Sequence, residues 1–180
     1  MLGLLRRNRL ERPAYRLYGA AVAAAREPVF YAELGVPDTV DGRFDMVSLH
    51  VYLVVRRLGA LPDPGPKLAQ AVFDAMFSDM DVNLREMGVG DLSVGKRNRA
   101  MWEAFHGRAA AYQVALAAGD DSALEEALRR NVWRGTMPEG DGGDAVRRLA
   151  RIVRQRDAAL GTQDLAALRE GKVGFGEAAA

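Results

Sequence analysis

Residues 42–58 read GRFDMVSLHVYLVVRRL and contain the longest apolar run of this 180-residue chain. Phe44, Val47, Val51, Val54 and Leu58 recur at spacings of three and four residues, which is the period of one helical face. Leucine, tyrosine and valine fill most of the other sides, as in a helix that is buried all round. The segment therefore predicts the central helix of a bundle, with the preceding aspartate, at position 41, as its N-cap.

Apolar stripes of the same period predict further helices on both sides of this segment. The predicted ranges are 13–26, 66–87, 96–118, 120–134, 144–160 and 162–170, with a short helical turn at 29–34. Glycine and proline clusters separate the stripes, and no segment alternates with period two. We predict an all-α fold, a single-domain bundle of six to seven helices. Its parts are a basic arm (1–12), the helical domain (13–172) and a flexible tail (173–180).

The composition excludes several classes of function. Lysine and arginine total 25 against 24 acidic residues, a balance that argues against bulk nucleic-acid binding, so DNA is not an expected partner. The chain has no cysteine, which excludes disulfides, thiol catalysis and cysteine-ligated iron–sulfur clusters. The longest apolar run is much shorter than the roughly 20 residues that span a membrane.

No catalytic or metal-binding motif is complete. Glu103 and His106 have the spacing used in carboxylate-bridged di-iron bundles, but such a site needs the motif twice, and Val47 precedes the other histidine, His50, by three residues. Asp74 and Asp79 lie roughly 140° apart around a helix, which is unfavourable for a shared Mg²⁺. We therefore predict a protein that is not an enzyme and needs no cofactor. An all-helical prenyl-diphosphate enzyme is the alternative.

Two segments suggest binding. The third predicted helix is apolar over more than one face and rich in methionine, a side chain that adapts to varied apolar partners. Its residues are Phe73, Met76, Phe77, Met80, Leu84 and Met87. The N-terminus places leucines before arginines, a pattern that could lie on an anionic membrane surface. The predicted membrane contacts are Leu2, Leu5, Arg6, Arg7 and Arg9.

Three segments carry a family resemblance. They are FSDMDVNLREMGVGDLSVGKR at 77–97, continuing to WEAFHGR at 102–108; YAELGVPDTVDGRFD at 31–45; and LHVYLVVRRL at 49–58. Together they resemble the ubiquinol–cytochrome c chaperone family over about residues 28–116, and residues 120–180 add little to the match.

The resemblance implies an assembly factor. Family members in mitochondria bind newly made cytochrome b, work with a small partner protein and associate with ribosomes near the exit tunnel. The short N-terminus resembles that of a bacterial member, which would lie on the cytoplasmic side of the plasma membrane. The alternative location is the matrix side of the mitochondrial inner membrane.

A chaperone of this kind needs an exposed apolar groove rimmed by charge, and the third and fourth helices could supply it. The expected apolar contacts are Phe73, Phe77, Met80, Leu84 and Met87. The residues expected to rim the groove or stabilise the turn are Asp79, Asp81, Arg85, Asp91, Lys96 and Arg97. A further alternative is a ribosome- or RNA-binding module that uses the arginines of the sixth helix, namely Arg147, Arg148, Arg151, Arg154 and Arg156.

Overall fold

Seven α-helices make up most of the part of the chain that the structure describes. A computed structural model describes residues 2–134, 137 and 142–176, and it describes side chains for all of these except residues 2–8 and 92. The helices are α1 (Leu2–Ala25), α2 (Val40–Gly59), α3 (Gly65–Glu86), α4 (Asp91–Ala118), α5 (Asp121–Leu128), α6 (Gly142–Gly161) and α7 (Leu165–Arg169). Single π-helical turns follow α1 at Val29–Glu33 and α5 at Arg129–Trp133. No strand occurs in the described ranges, so the predicted all-α fold is confirmed.

The central helix is α2, as predicted. Every residue from Phe44 to Val54 is buried, and α1, α3, α4 and α6 pack around it. The predicted cap is wrong, because the side chain of Thr39, not of Asp41, accepts a hydrogen bond from the backbone N–H of Gly42 at 3.1 Å. A Cβ at Gly42 would lie 2.0 Å from a backbone oxygen of the preceding loop, so this close approach requires glycine.

The first helix begins earlier than predicted. It starts at Leu2 instead of Pro13, so it runs through the residues predicted as an arm, and the proline lies inside it. Proline inside a helix removes one backbone hydrogen bond and costs about 3 kcal/mol. The helix continues across it because Ala14, Leu17 and Ala21 are buried against α2 and α3.

The connection between α3 and α4 is shorter than predicted. The fourth helix begins at Asp91 instead of Lys96, with Gly90 as its N-cap and Gly95 inside it. Gly88 has a φ of +80°, which glycine adopts without strain, and it reverses the chain at the end of α3. The hairpin therefore leaves only residues 87–90 between its two helices.

The C-terminal segment packs on the core further along than predicted. Phe175 is buried, although it falls in the segment predicted as a flexible tail. Its ring lies 5.6 Å from the ring of His50 on α2. Residues 177–180 of the predicted tail lie outside the described residues.

A buried arginine joins α6 to α1 and α2. Arg156 is 1% exposed, and its Nη2 lies 2.6 Å from a carboxylate oxygen of Glu27. Its Nη1 contacts Nε2 of His50, whose Nδ1 lies 2.7 Å from the carbonyl oxygen of Met46. The arginine can only donate, so Nε2 must accept and His50 is neutral with its proton on Nδ1. Burial, together with the charge of Arg156, lowers the pKa of His50 to about 3.

A second buried cluster joins α4 to α2. Asp45 is fully buried, and its carboxylate lies 2.7 Å from Nη2 of Arg108 on α4 and 2.8 Å from Nη2 of Arg134, which follows the second π-helical turn. Burial raises the pKa of Asp45 to about 6, although both arginines oppose the rise. A buried carboxylate next to two guanidinium groups thus determines how α4 and the second π-helical turn sit on α2.

The neutral state of His50 predicts sensitivity to acid. Its pKa is about 3 in the folded chain against 6.5 when unfolded, so between these values only the unfolded chain binds the proton. Stability should therefore fall as pH falls. Between pH 7 and pH 5, His50 should lower the unfolding free energy of the wild type by about 2 kcal/mol. The His50→Gln variant should lack this contribution when its unfolding in urea is measured at the two pH values. His106→Gln, at an exposed histidine with the same bond to the carbonyl four residues earlier, is the control. An unchanged pH slope in His50→Gln would contradict the assignment.

The Asp45 cluster predicts that the loss of stability in an Arg108 variant becomes smaller as the pH falls. Arg108→Met leaves a buried carboxylate with a single arginine, which should cost about 3 kcal/mol of unfolding free energy at pH 8. At pH 5 Asp45 is largely protonated, so the loss should be smaller. Arg43→Met, which breaks the exposed pair with Asp38, is the control and should cost less than about 1 kcal/mol. Equal losses in the two variants, or a larger loss at pH 5, would contradict the account.

Candidate functional site

An open groove of about 1020 Å³ runs between α3 and α4 over the C-terminal half of α2. Most of its lining is apolar or aromatic. Tyr52, Val55 and Ala60 come from α2 and the residue after it, Pro66, Ala69 and Phe73 from α3, and Trp102, Phe105, Ala109 and Ala117 from α4. Concave, mostly apolar sites of this size with a few polar groups are typical binding sites.

Aromatic side chains cluster at one end of the groove. The ring of Phe73 lies 4.7 Å from that of Phe77, 5.2 Å from that of Phe105 and 5.3 Å from that of His106. Trp102 stacks on His106 with a separation of 3.9 Å and is 47% exposed. This end therefore offers a broad aromatic surface that water covers in the free protein.

Charged side chains line the other end of the groove. Arg56 pairs with Asp157 of α6 at 2.6 Å. Arg57 donates from both Nε and Nη2 to the backbone carbonyl of Gln163. Gly59 and Ala60 also line the groove.

The position of α4 as a wall of the groove depends on its narrow buried seam. Phe105, Tyr112 and Leu116 are buried, as the predicted apolar stripe requires. Arg108 lies between them on the buried side through its bond to Asp45. Trp102 falls at the same helical spacing on α4, but its side chain is exposed and lies in the open groove.

The predicted apolar residues of α3 occupy different positions. Phe73 lines the groove, and Phe77 extends its aromatic end. Met80 is partly buried against the core, and Leu84 is buried, so neither lines the groove. Met87 is 58% exposed at the α3–α4 turn. The structure therefore brings only the first part of this set to the groove.

Several of the predicted rim residues hold the α3–α4 hairpin together. Arg85 donates to Asp81 at 2.7 Å and also bonds Asp91 at the start of α4. Asn98 of α4 donates to the same Asp81 at 2.8 Å. The bond from Arg85 lowers the pKa of Asp81. These bonds join the end of α3 to the start of α4.

The remaining predicted polar residues lie elsewhere. Asp79 accepts a hydrogen bond from the hydroxyl of Tyr18 at 2.7 Å and so ties α3 to α1. Lys96 and Arg97 are exposed on α4 and make no ion pair with a residue whose side chain is described. Both are available to a charged partner.

The aspartates of α3 face different neighbours. Asp74 accepts from Gln70 at 2.8 Å, whereas Asp79 bonds Tyr18, so the two carboxylates do not converge. Within the described residues, no group of three histidine, aspartate or glutamate side chains could hold a metal ion.

The arginines of α6 are mostly engaged inside the molecule. Arg148 pairs with Glu33 at 2.8 Å, Arg154 pairs with Asp121, and Arg156 is buried. This leaves Arg147 and Arg151 at the surface, with Arg147 3.6 Å from Asp144. The interpretation of all five as one RNA-binding face is therefore wrong.

The predicted membrane contacts are only partly described. Arg9 is exposed on α1, whereas the side chains of Leu2, Leu5, Arg6 and Arg7 lie outside the described ones. No helix among the described residues is long and apolar enough to cross a membrane.

Sequence reasoning missed three residues that shape the site, namely Trp102 in the groove and the Asp45–Arg108 pair that positions α4. One signal could have found the pair. An aspartate inside a helix that is apolar all round must be buried, and a buried carboxylate needs a cationic partner.

The comparisons with known proteins agree with this architecture. The crystal structure of the Cbp3 homolog from Brucella abortus matches with a TM-score of 0.83 and 37% identity, over 98% of this chain and 97% of that one. The ubiquinol-cytochrome-c reductase complex assembly factor 1 of Xenopus laevis is 25% identical over 119 residues, which are 66% of this chain. They span 59% of the Xenopus protein, less than two thirds of its length.

A family model described as ubiquinol-cytochrome C chaperone matches residues 32–175. The match reaches well beyond residue 116, where the sequence resemblance was expected to fade, and it ends at the buried Phe175. Since the family model covers well over half of the sequence, the chain belongs to the ubiquinol–cytochrome c chaperone family.

Proposed function

We propose that this protein is an assembly chaperone for the ubiquinol–cytochrome c reductase complex and that its α3–α4 groove binds newly made cytochrome b. Membership of the chaperone family supports the assembly role. The observation that carries the proposed site is the exposed aromatic end of the groove, where Trp102 is 47% exposed beside Phe73 and His106.

The groove suits an apolar client on physical grounds. Cytochrome b is a membrane protein, so its spanning segments are apolar and must be shielded from water before insertion. Burying one aromatic or large aliphatic side chain contributes about 1.5–3 kcal/mol. A groove that buries two or three client side chains therefore supplies useful but reversible affinity. Such binding needs no catalytic group, and the proposed role is non-enzymatic.

The surroundings of the groove support a role for the hairpin as well. Phe77 continues the aromatic end towards Met80, and Met87 is exposed at the turn. Lys96 and Arg97 lie beyond the turn at the start of α4 and are free to meet an acidic client or a small partner protein. These residues extend the proposed binding surface beyond the groove.

The proposed location is the surface of the membrane that receives cytochrome b, on the cytoplasmic side in a bacterium. The exposed Arg9 and Arg12 on α1 support peripheral contact with anionic lipids. Sedimentation with vesicles of anionic lipid tests this contact, and an Arg9→Glu, Arg12→Glu variant should no longer sediment with them.

We also propose that the protein contacts the ribosome near the exit tunnel while cytochrome b is being synthesised. Cosedimentation with translating ribosomes tests this contact.

The groove hypothesis predicts the effect of one charge placed in it. Trp102→Asp should lower capture of newly made cytochrome b at least about tenfold, because a carboxylate in the apolar groove must lose its hydration on binding. Capture is measured by pulse labelling and copurification from the native organism.

The matched control is Val114→Asp. Val114 is on the same helix and is 69% exposed, but it does not line the groove, so this variant should capture the client like the wild type. Circular dichroism verifies the fold of both variants. Wild-type capture by a folded Trp102→Asp variant would refute the groove as the client site.

A further inference from the structure

The charges that line the groove are not balanced. Among the described residues, the aspartate, glutamate, lysine and arginine side chains that line it are Arg56, Arg57 and Asp157, so two cations face one anion. Arg56 is paired with Asp157. Arg57 makes no ion pair with a described carboxylate, and the net charge of +1 therefore belongs to it.

The guanidinium of Arg57 is only partly used. Its Nε and one N–H of Nη2 donate to the carbonyl of Gln163, just after the end of α6. A guanidinium has five N–H donors, so three remain without an acceptor among the described residues. The C-terminal ends of α2 and α6 are close to it, and their carbonyls favour a cation at this position. They are uncharged peptide groups, however, and do not replace a carboxylate, which can accept two parallel N–H bonds from one guanidinium.

The distance between the two ends of the groove sets the length of a matching ligand. The lining residues of α4 run from Trp102 to Ala117. At 1.5 Å per residue these 15 steps span about 22 Å, which is about four turns of helix. Asp45 pairs with Arg108, and the ring of Tyr52 lies 5.8 Å from that of Tyr112, so α2 and α4 run in the same direction and Arg57 lies towards the Ala117 end. An apolar helix of about four turns with one end on the aromatic cluster therefore has its other end near Arg57.

We infer that the groove selects an apolar helical segment of about four turns that carries a carboxylate at the end opposite its aromatic-contacting side chains, with Arg57 as the residue that recognises the carboxylate. The inference rests on the proposed function and adds a binding direction to it. The segment binds in one direction, because the reversed segment buries its carboxylate on Trp102 and leaves Arg57 without a partner.

Labelled peptides test this directly. The probe is a 16-residue helix with leucines on one face and glutamine and alanine on the other, carrying either glutamate or glutamine as its last side chain. A second pair carries the same difference at its first position. Fluorescence anisotropy with the full chain measures the affinities. For one of the two pairs, the glutamate peptide should bind the wild type about five- to tenfold more tightly than the glutamine peptide, and 1 M salt should reduce this preference.

Variants then assign the preference to Arg57. Arg57→Gln should weaken the glutamate peptide to the level of the glutamine peptide and leave the latter unchanged. Arg57→Lys should keep part of the preference, because a point charge remains without the fork of donors. Arg151→Gln removes an exposed arginine outside the groove and should change nothing. Thermal melts verify that each variant is folded.

The possible failures have different meanings. If Trp102→Ala weakens all four peptides but Arg57→Gln preserves the glutamate preference, or the wild type shows none, Arg57 only caps the α6–α7 link. The inference is then overturned, while the groove remains the client site. If the wild type binds none of the peptides, the inference is overturned as well, and the Trp102→Asp capture experiment decides the proposed function separately.

Discussion

The structure depends on the burial of α2 on nearly all sides. A helix in this position cannot present a polar face to water, yet α2 carries Asp45 and His50 among its buried residues. Each of these side chains must find its partners on surrounding helices. Arg108 and Arg134 bind Asp45, and Arg156 binds His50. Charged or polar contacts to α2 therefore position α4, α6 and the second π-helical turn.

This constraint explains why the groove exists. The fourth helix approaches α2 through a narrow seam that includes the Arg108–Asp45 pair, and it does not close completely against α3. The aromatic side chains that could have sealed the gap, Trp102 above all, remain exposed instead. Exposing an aromatic surface lowers solubility and favours association, so it is expected where a partner covers it. The buried ion pair and the open groove are thus two consequences of the same packing.

The sequence predicted the central helix and most helix ranges because apolar residues at helical spacing are a strong local signal. It failed at the starts of α1 and α4. Pro13 and Gly95 disfavour helix locally, but packing of the flanking residues outweighs their propensity. The burial of Phe175 could not be predicted, because a short glycine-rich segment has no apolar pattern that indicates packing on the core.

The site was harder to predict than the fold. Of the residues predicted on α3, Phe73 and Phe77 lie at the groove, but Leu84 is buried, and Trp102 of α4 is exposed there. An apolar stripe shows which residues share a face of a helix. It does not show how far the neighbouring helix extends over that face, which depends here on long-range pairs such as Asp45 with Arg108. Such pairs join residues more than sixty positions apart and leave no local pattern.

We propose that newly made cytochrome b occupies the groove between α3 and α4. The most direct measurement places a photoreactive amino acid at Ala109, inside the groove, and at Val114, on the exposed side of the same helix, and illuminates cells during synthesis of the reductase complex. If the client lies in the groove, newly made cytochrome b forms a crosslink with position 109 and none with position 114. A crosslink from position 114 alone, or from neither position while the chain still copurifies with cytochrome b, would contradict it.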